Sequence, residues 1–159
     1  MENFNNFENK EQKNTTTSVL SLTELLDLIY QGKNVPQDKR FNDPEKEGVF
    51  KYFDLEAILD SKYDKNKKFY PVIKESEKII GLAELEENPE NLKSLWLKFI
   101  SIDPIYQNHG YSRELIKEIF DFAKKNNYSI ELSFYTEEGE KKIKKIIEEI
   151  SEKTKVKIS

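Results

Sequence analysis

A mixed α/β (α+β) domain, one sheet with helices packed on its faces, is the fold class this sequence predicts, and three observations predict it. Two stretches carry apolar residues at helical spacing: Leu115, Ile116, Ile119, Phe120 and Ala123 in one, and Ile143, Ile146, Ile147 and Ile150 in the other, each interleaved with Lys and Glu. Residues Lys68 to Leu85, KFYPVIKESEKIIGLAEL, hold two apolar runs around a polar turn at Glu75, Ser76, Glu77 and Lys78, the pattern of a β-hairpin. Beyond it, strand-like and helix-like stretches alternate to the C-terminus, and 159 residues are enough for one core but short for two.

Met1 to Thr17 has no apolar period and is dominated by Asn, Glu, Lys and Thr, so residues 1–17 are expected as a loose tail before a single domain at 18–159. A helix is predicted from Ser21, which forms a capping box with Glu24 and precedes the stripe Leu22, Leu25, Leu26, Ile29; Gly32 ends it. Lys33 to Gly48, with Pro36 and Pro44, reads as a loop, and Phe53 to Leu59 as a second short helix. In the hairpin, Pro71 lacks an N–H for the ladder, which predicts an edge strand or an outward position. Glu86 to Lys93 reads as a polar connection, and a strand follows from near Leu95.

That strand has an irregular phase. Leu95, Leu97 and Phe99 fall on odd positions and Ile100 and Ile102 on even ones, which a two-residue period permits only with a bulge or with both faces covered. After a turn at Asp103 and Pro104 and a polar loop containing Gly110, a helix is predicted from about Ser112 to Lys125, stopped by Asn126 and Asn127. Tyr128 to Tyr135 alternates as another strand, the isoleucine-striped helix follows, and Val156 to Ile158 reads as a short last strand.

Composition excludes several classes of chemistry. The chain has no cysteine, so disulfides, thiolate metal sites and Cys nucleophiles are ruled out, and its only histidine, His109, cannot make a multi-histidine zinc site; no metal is expected. A net charge of −4 gives no basic footprint for nucleic acid. No run approaches the roughly 18 apolar residues of a membrane span, and the N-terminus lacks the apolar core of a signal peptide, so a cytoplasmic protein is expected. A loop delivering backbone N–H groups to a helix N-terminus is, in contrast, a ready site for phosphate, and the Asp103 to Ser112 junction has that form.

Residues Ile100 to Ser112, ISIDPIYQNHGYS, in their strand, turn and helix context, resemble the coenzyme-binding signature of the GNAT acetyltransferase superfamily, with Ser112 where Gly or Ala is usual. The resemblance spans roughly Lys68 to Ile150 and implies a mostly antiparallel central sheet flanked by helices, with a bulged central strand. It further implies acetyl-CoA as co-substrate. Gln107, Asn108, His109, Gly110, Tyr111, Ser112 and Arg113 would supply the pyrophosphate loop, and Ile100, Ser101 and Ile102 the backbone beside the pantetheine arm. The reaction implied is transfer of acetyl to an amine by direct attack on the thioester.

The family's catalytic side chains do not carry over by position. A common base site on the fourth strand falls on Trp96, the alternative on the fifth near Ser133, and the usual Tyr of the last helix near Lys145 or Ile146. The candidates that remain are Glu84, Glu86 and Glu87 at the end of the third strand and Tyr135 near the end of the fifth, with Glu84 and Tyr135 taken as the catalytic pair and Tyr135 as acid, each acting through a water. His109 is read as a loop residue whose backbone matters, and the lysines from Lys141 to Lys145 as the wet face of a helix.

The resulting function is an N-acetyltransferase acting on a primary amine of a small molecule or a protein. Two alternatives stand beside it: a GNAT-fold binding module acting through partners, and acetylation of aminoacyl-tRNA, which the acidic balance disfavours. With a single short strand expected after the last helix, the family's paired C-terminal strands are expected to be incomplete or supplied by a partner chain, as in a homodimer.

Overall fold

The computed structural model of the chain describes residues 14–30, 66–76, 78–132 and 137–159. Five strands form one sheet in the order β1-β2-β3-β4-β5: β1 (Thr15–Leu20), β2 (Lys68–Glu75), β3 (Lys78–Asn88), β4 (Asn91–Ile102) and β5 (Ser129–Leu132). The first four pair antiparallel, and β5 runs parallel to β4. Helix α1 (Leu22–Tyr30) lies on one face, while α2 (Tyr111–Lys125) and α3 (Glu137–Thr154) share the core of the other. The parallel pair follows from α2, which supplies the crossover that joins β4 to β5.

Two apolar cores sandwich the sheet. On the α1 side Leu20, Leu25, Ile29, Val72 and Leu82 are buried with Tyr70. On the other, all five residues of the predicted stripe, Leu115, Ile116, Ile119, Phe120 and Ala123, are buried against Ile147, Ile150 and the sheet. Helix ends obey local chemistry. The Ser21 hydroxyl accepts from the Glu24 N–H at 3.2 Å and the Glu24 carboxylate accepts from the Ser21 N–H at 3.0 Å, the predicted capping box. That bonding holds the Glu24 carboxyl below its ordinary value. At the end of α2, Asn127 takes a left-handed φ of 61° and the Tyr128 N–H returns to the Ala123 carbonyl at 2.8 Å.

Four expectations need correction. Residues 15–17, expected in the tail, are the start of β1, because pairing with β2 satisfies their backbone where their side chains bury little. With β1 outside it, β2 is an inner strand, and Pro71 is buried there; it pairs with Val19, while the ladder to β3 passes from Phe69 to Val72. The polar stretch 86–93 is mostly strand: β3 runs to Asn88 and β4 starts at Asn91, since a two-residue turn at Pro89 and Glu90 suffices. The last strand is reduced to a parallel bridge of Ile158 with Ile130 on β5. The predicted loop at 33–48, the short helix at 53–59, Gly32 and the tail before residue 14 lie outside the described residues, as does the end of the strand predicted to reach Tyr135.

Candidate active site

The centre of the sheet carries the predicted irregularity. On β4, Leu97 stands opposite Leu85 and Phe99 opposite Glu84, so Lys98 is an extra residue. This bulge sits one residue before the change of apolar phase and produces it. Leu95 and Leu97 face the core of α2 and α3 before it, Ile100 and Ile102 do so after it, and Phe99 turns to the α1 side. Among the described residues, pairing with β5 runs from Ser94 to Leu97 and pairing with β3 continues to Ile102.

At the end of β4 the chain turns sharply. Asp103 donates its N–H to the Ile80 carbonyl at 2.8 Å, and its Oδ1 accepts from the Ile105 N–H at 3.1 Å, capping a short 3-10 turn at Pro104–Tyr106. Among the described residues its Oδ2 has no hydrogen-bond partner; it lies 3.6 Å from the Lys78 ammonium, which also sits 5.4 Å over the Tyr106 ring. Thus the β2–β3 hairpin braces the turn. Burial, with Glu75 and Asp103 nearby, pushes the Tyr106 phenol up.

The loop that follows opens onto α2. The Gln107 amide donates to the Ile102 carbonyl at 3.2 Å, and the His109 Nδ1 lies 3.1 Å from the Gln107 carbonyl. Asn108 and Gly110 both adopt left-handed backbone, φ 66° and 82°. Gly110 is the N-cap of the fifteen-residue α2; it has no side chain to bond the first-turn amides, and a Cβ placed on it would meet open space. A helix start with no side-chain cap, at the positive end of the helix, suits an anionic oxygen ligand.

The predicted loop residues are therefore brought together. Gln107, Asn108, His109, Gly110 and Arg113 are exposed, Tyr111 and Ser112 half-buried; Ile100 is half-buried, and Ser101 and Ile102 are buried at the end of β4. Arg113 is committed elsewhere: its guanidinium donates to Glu149 at 2.7 Å, holding that carboxyl below its ordinary value. What Arg113 offers the loop is its backbone. Lys141, Lys142, Lys144 and Lys145 are exposed.

Of the catalytic candidates, Glu84 lies at the bulge, opposite Phe99 and 6% exposed, and Tyr135 lies outside the described residues. The Tyr70 hydroxyl donates to Glu84 Oε1 at 2.9 Å. Burial pushes the Glu84 carboxyl up, against the Tyr70 hydrogen bond and the Lys68 charge. Glu86 faces Lys98 at 3.5 Å and accepts from Asn66 at 3.1 Å, and Glu87 accepts from the Tyr128 hydroxyl at 2.9 Å, so both have structural partners. Trp96 is half-buried with the Lys98 ammonium 5.2 Å over its ring.

Sequence reasoning missed Tyr70. Counting back from the hairpin turn places Glu84 opposite Phe69, but a bulge between Ile73 and Lys74 shifts the register, pairs Phe69 with Leu85, and brings Tyr70 level with Glu84. The adjacent isoleucines Ile79 and Ile80, buried on opposite faces, were the available signal. Among the described residues no group of three or more His, Asp or Glu is placed to hold a metal ion, and no helix is long and apolar enough to cross a membrane.

Residues 30–143 match the Acetyltransferase (GNAT) family. No curated protein matches the sequence. Among solved structures, a spermidine N-acetyltransferase from Vibrio cholerae, in complex with CoA and spermine, is 24% identical with a TM-score of 0.53, covering 87% of this chain and 80% of that one. An aminoglycoside acetyltransferase from an uncultured soil metagenomic sample, in complex with sisomicin, is 16% identical with a TM-score of 0.53, covering 87% and 88%. The ribosomal-protein-S18-alanine N-acetyltransferase of Escherichia coli is 16% identical with a TM-score of 0.54, covering 85% and 76%. At these identities the likeness is one of fold.

Proposed function

The chain belongs to the GNAT acetyltransferase family, and from that premise we propose that it transfers the acetyl group of acetyl-CoA to a primary amine of a small molecule or a protein by direct attack. The observation that carries this reading is the junction of β4 and α2, where a bulged strand leads through two left-handed residues to a helix start with no side-chain cap. In this reading the amides of Asn108 through Arg113 hold the pyrophosphate, Gln107 ties their loop to β4, and Ile100, Ser101 and Ile102 lie along the pantetheine arm. The co-substrate supplies a thioester whose carbonyl carbon the amine attacks.

The amine must lose a proton to attack and the departing thiolate must gain one. Glu84 takes the first proton, directly or through a water: it is a carboxylate at the bulge whose burial raises its affinity for protons. Tyr135, placed by the sequence beyond β5, delivers the second. The C–N bond forms as the C–S bond breaks, and one proton passes from the amine side to the thiol side.

One observation favours a second reading, a module that binds coenzyme without turnover: the position where the family often carries a base holds Trp96, stacked under Lys98. Thiol release from acetyl-CoA separates the two. Spermidine, sisomicin and a peptide with an N-terminal alanine form the panel, since they span the amines named for the structural neighbours. Release with any one supports transfer. Tight coenzyme binding with no release across the panel and a wider amine set would establish the binding module instead.

A further inference from the structure

Tyr70 and Glu84 form a buried, hydrogen-bonded polar pair beside the apolar core on the α1 side of the sheet. We propose that Tyr70 is a positioning residue for the amine-activating carboxylate: its hydroxyl holds Oε1 of Glu84, so that the proton from the attacking amine is taken up at Oε2. The inference rests on the reading of Glu84 as the base.

The geometry supports it at three levels. The Tyr70 ring is fully buried among Leu25, Ile29, Val72 and Leu82, which fixes the direction of its hydroxyl. The bulge between Ile73 and Lys74 sets the register that brings this tyrosine, rather than Phe69, level with Glu84. A second bulge, at Lys98, puts Glu84 opposite Phe99, whose ring packs in the same core as Tyr70. Among the described residues the hydrogen bond to the Glu84 carboxylate falls on Oε1, leaving Oε2 as the oxygen for proton transfer.

Among the described residues, three charged groups act on the carboxylate. Lys68 stands on β2, Glu86 on β3 and Lys98 on β4, with Lys68 and Lys98 favouring the ionised form and Glu86 opposing it. From α1 the residues in this core are Leu22, Leu25, Leu26, Leu28 and Ile29. A neutral phenol therefore adds what these charges do not, a directional bond to one oxygen, and a hydrogen bond to an ionised acceptor is roughly twice as strong as one between neutral groups.

The test is a carbon NMR titration of the glutamate carboxyls in the whole protein, with the Glu84 signal assigned by its loss in Glu84→Gln. A donor to the charged form favours that form, so Tyr70→Phe is expected to move the Glu84 titration to higher pH. In the same variant the acid limb of kcat/KM for the amine that turns over should move the same way, with kcat lowered and KM for acetyl-CoA unchanged. Replacing Tyr70 by 3-fluorotyrosine, a stronger donor of nearly the same shape, should move the titration to lower pH, and it decides the matter if the Phe variant does not fold. A titration unmoved by either change overturns the proposal even where Glu84→Gln abolishes turnover. Full turnover by Glu84→Gln instead overturns the base assignment, and with it the proposal, whatever the titration does.

Discussion

The Gln107 side chain donates to the Ile102 carbonyl at 3.2 Å and so ties the loop before α2 to the last residue of β4. One end of this bond belongs to the strand beside the proposed pantetheine site and the other to the proposed pyrophosphate loop. It sets their spacing. Gln107→Ala removes one net hydrogen bond, about 1 kcal/mol, and should raise the Kd for acetyl-CoA about fivefold. Isothermal titration of wild type and variant checks this, and equal affinities would mean the loop holds its place without the bond.

Gly110 tests the anion site itself. Its φ of 82° favours glycine, and as N-cap it offers the first-turn amides no side-chain oxygen. Gly110→Asp puts a strained residue and a negative charge at that point, and should abolish the rise in melting temperature caused by acetyl-CoA. Gly110→Ala keeps the strain, about 1–2 kcal/mol, without the charge. If the Asp variant is stabilised by coenzyme as fully as wild type, the pyrophosphate does not bind here.

Glu84 leaves a signature in stability as well as in rate. Its folded-state carboxyl is raised above its ordinary value by burial, so the unfolded chain gives up this proton first as pH rises. Its contribution is therefore fully present below the unfolded value and is lost as pH rises through the folded one. Glu84→Gln stays neutral and can still accept from Tyr70, so its stability relative to wild type should improve on going from acid to neutral pH. Urea unfolding across that range measures the trend; a relative stability that falls instead would reverse the assigned sign. Turnover by the same variant should drop by about 10²-fold or more if the carboxylate is the base.

Lys78 makes a purely structural prediction. It is half exposed, yet it lies 3.6 Å from an Asp103 carboxylate that is 1% exposed. Removing it leaves a buried charge without its counterion, and Lys78→Ala should cost on the order of 1–2 kcal/mol, below the figure for a fully buried pair because the lysine is wet. Urea midpoints at low and high salt should show both the loss and its partial masking.

Tyr135 is assigned as acid from its place in the sequence. Tyr135→Phe should lower kcat and leave the Kd for acetyl-CoA unchanged, as expected for a group that acts only on the departing thiolate. Unimpaired turnover would dismiss it.

The apolar stripes, the capping box at Ser21 and Glu24, the helix stop at Asn126 and the glycine before α2 were legible in the sequence because each depends on residues within about one turn of one another. The phase change near Phe99 announced a bulge for the same reason: a period of two breaks visibly when one residue is added. The loop from Gln107 to Arg113, proposed as the pyrophosphate site, could be located in the sequence by its strand, turn and helix context, and Gly110 is the N-cap of α2. What required the tertiary structure was everything set by pairing at a distance. Residues 15–17 become a strand only because β2 is there to receive them, and Pro71 lies inside the sheet at a point where it pairs with Val19 and the ladder to β3 passes from Phe69 to Val72. Tyr70 meets Glu84 only after a bulge has moved the register by one residue, and Lys78 meets Asp103 only when the hairpin tip folds over the turn after β4. A one-residue slip exchanges every neighbour across a ladder while leaving each strand's own pattern intact, so the loop that would hold the donor could be read along the chain, whereas the carboxylate's partner appeared only across the sheet.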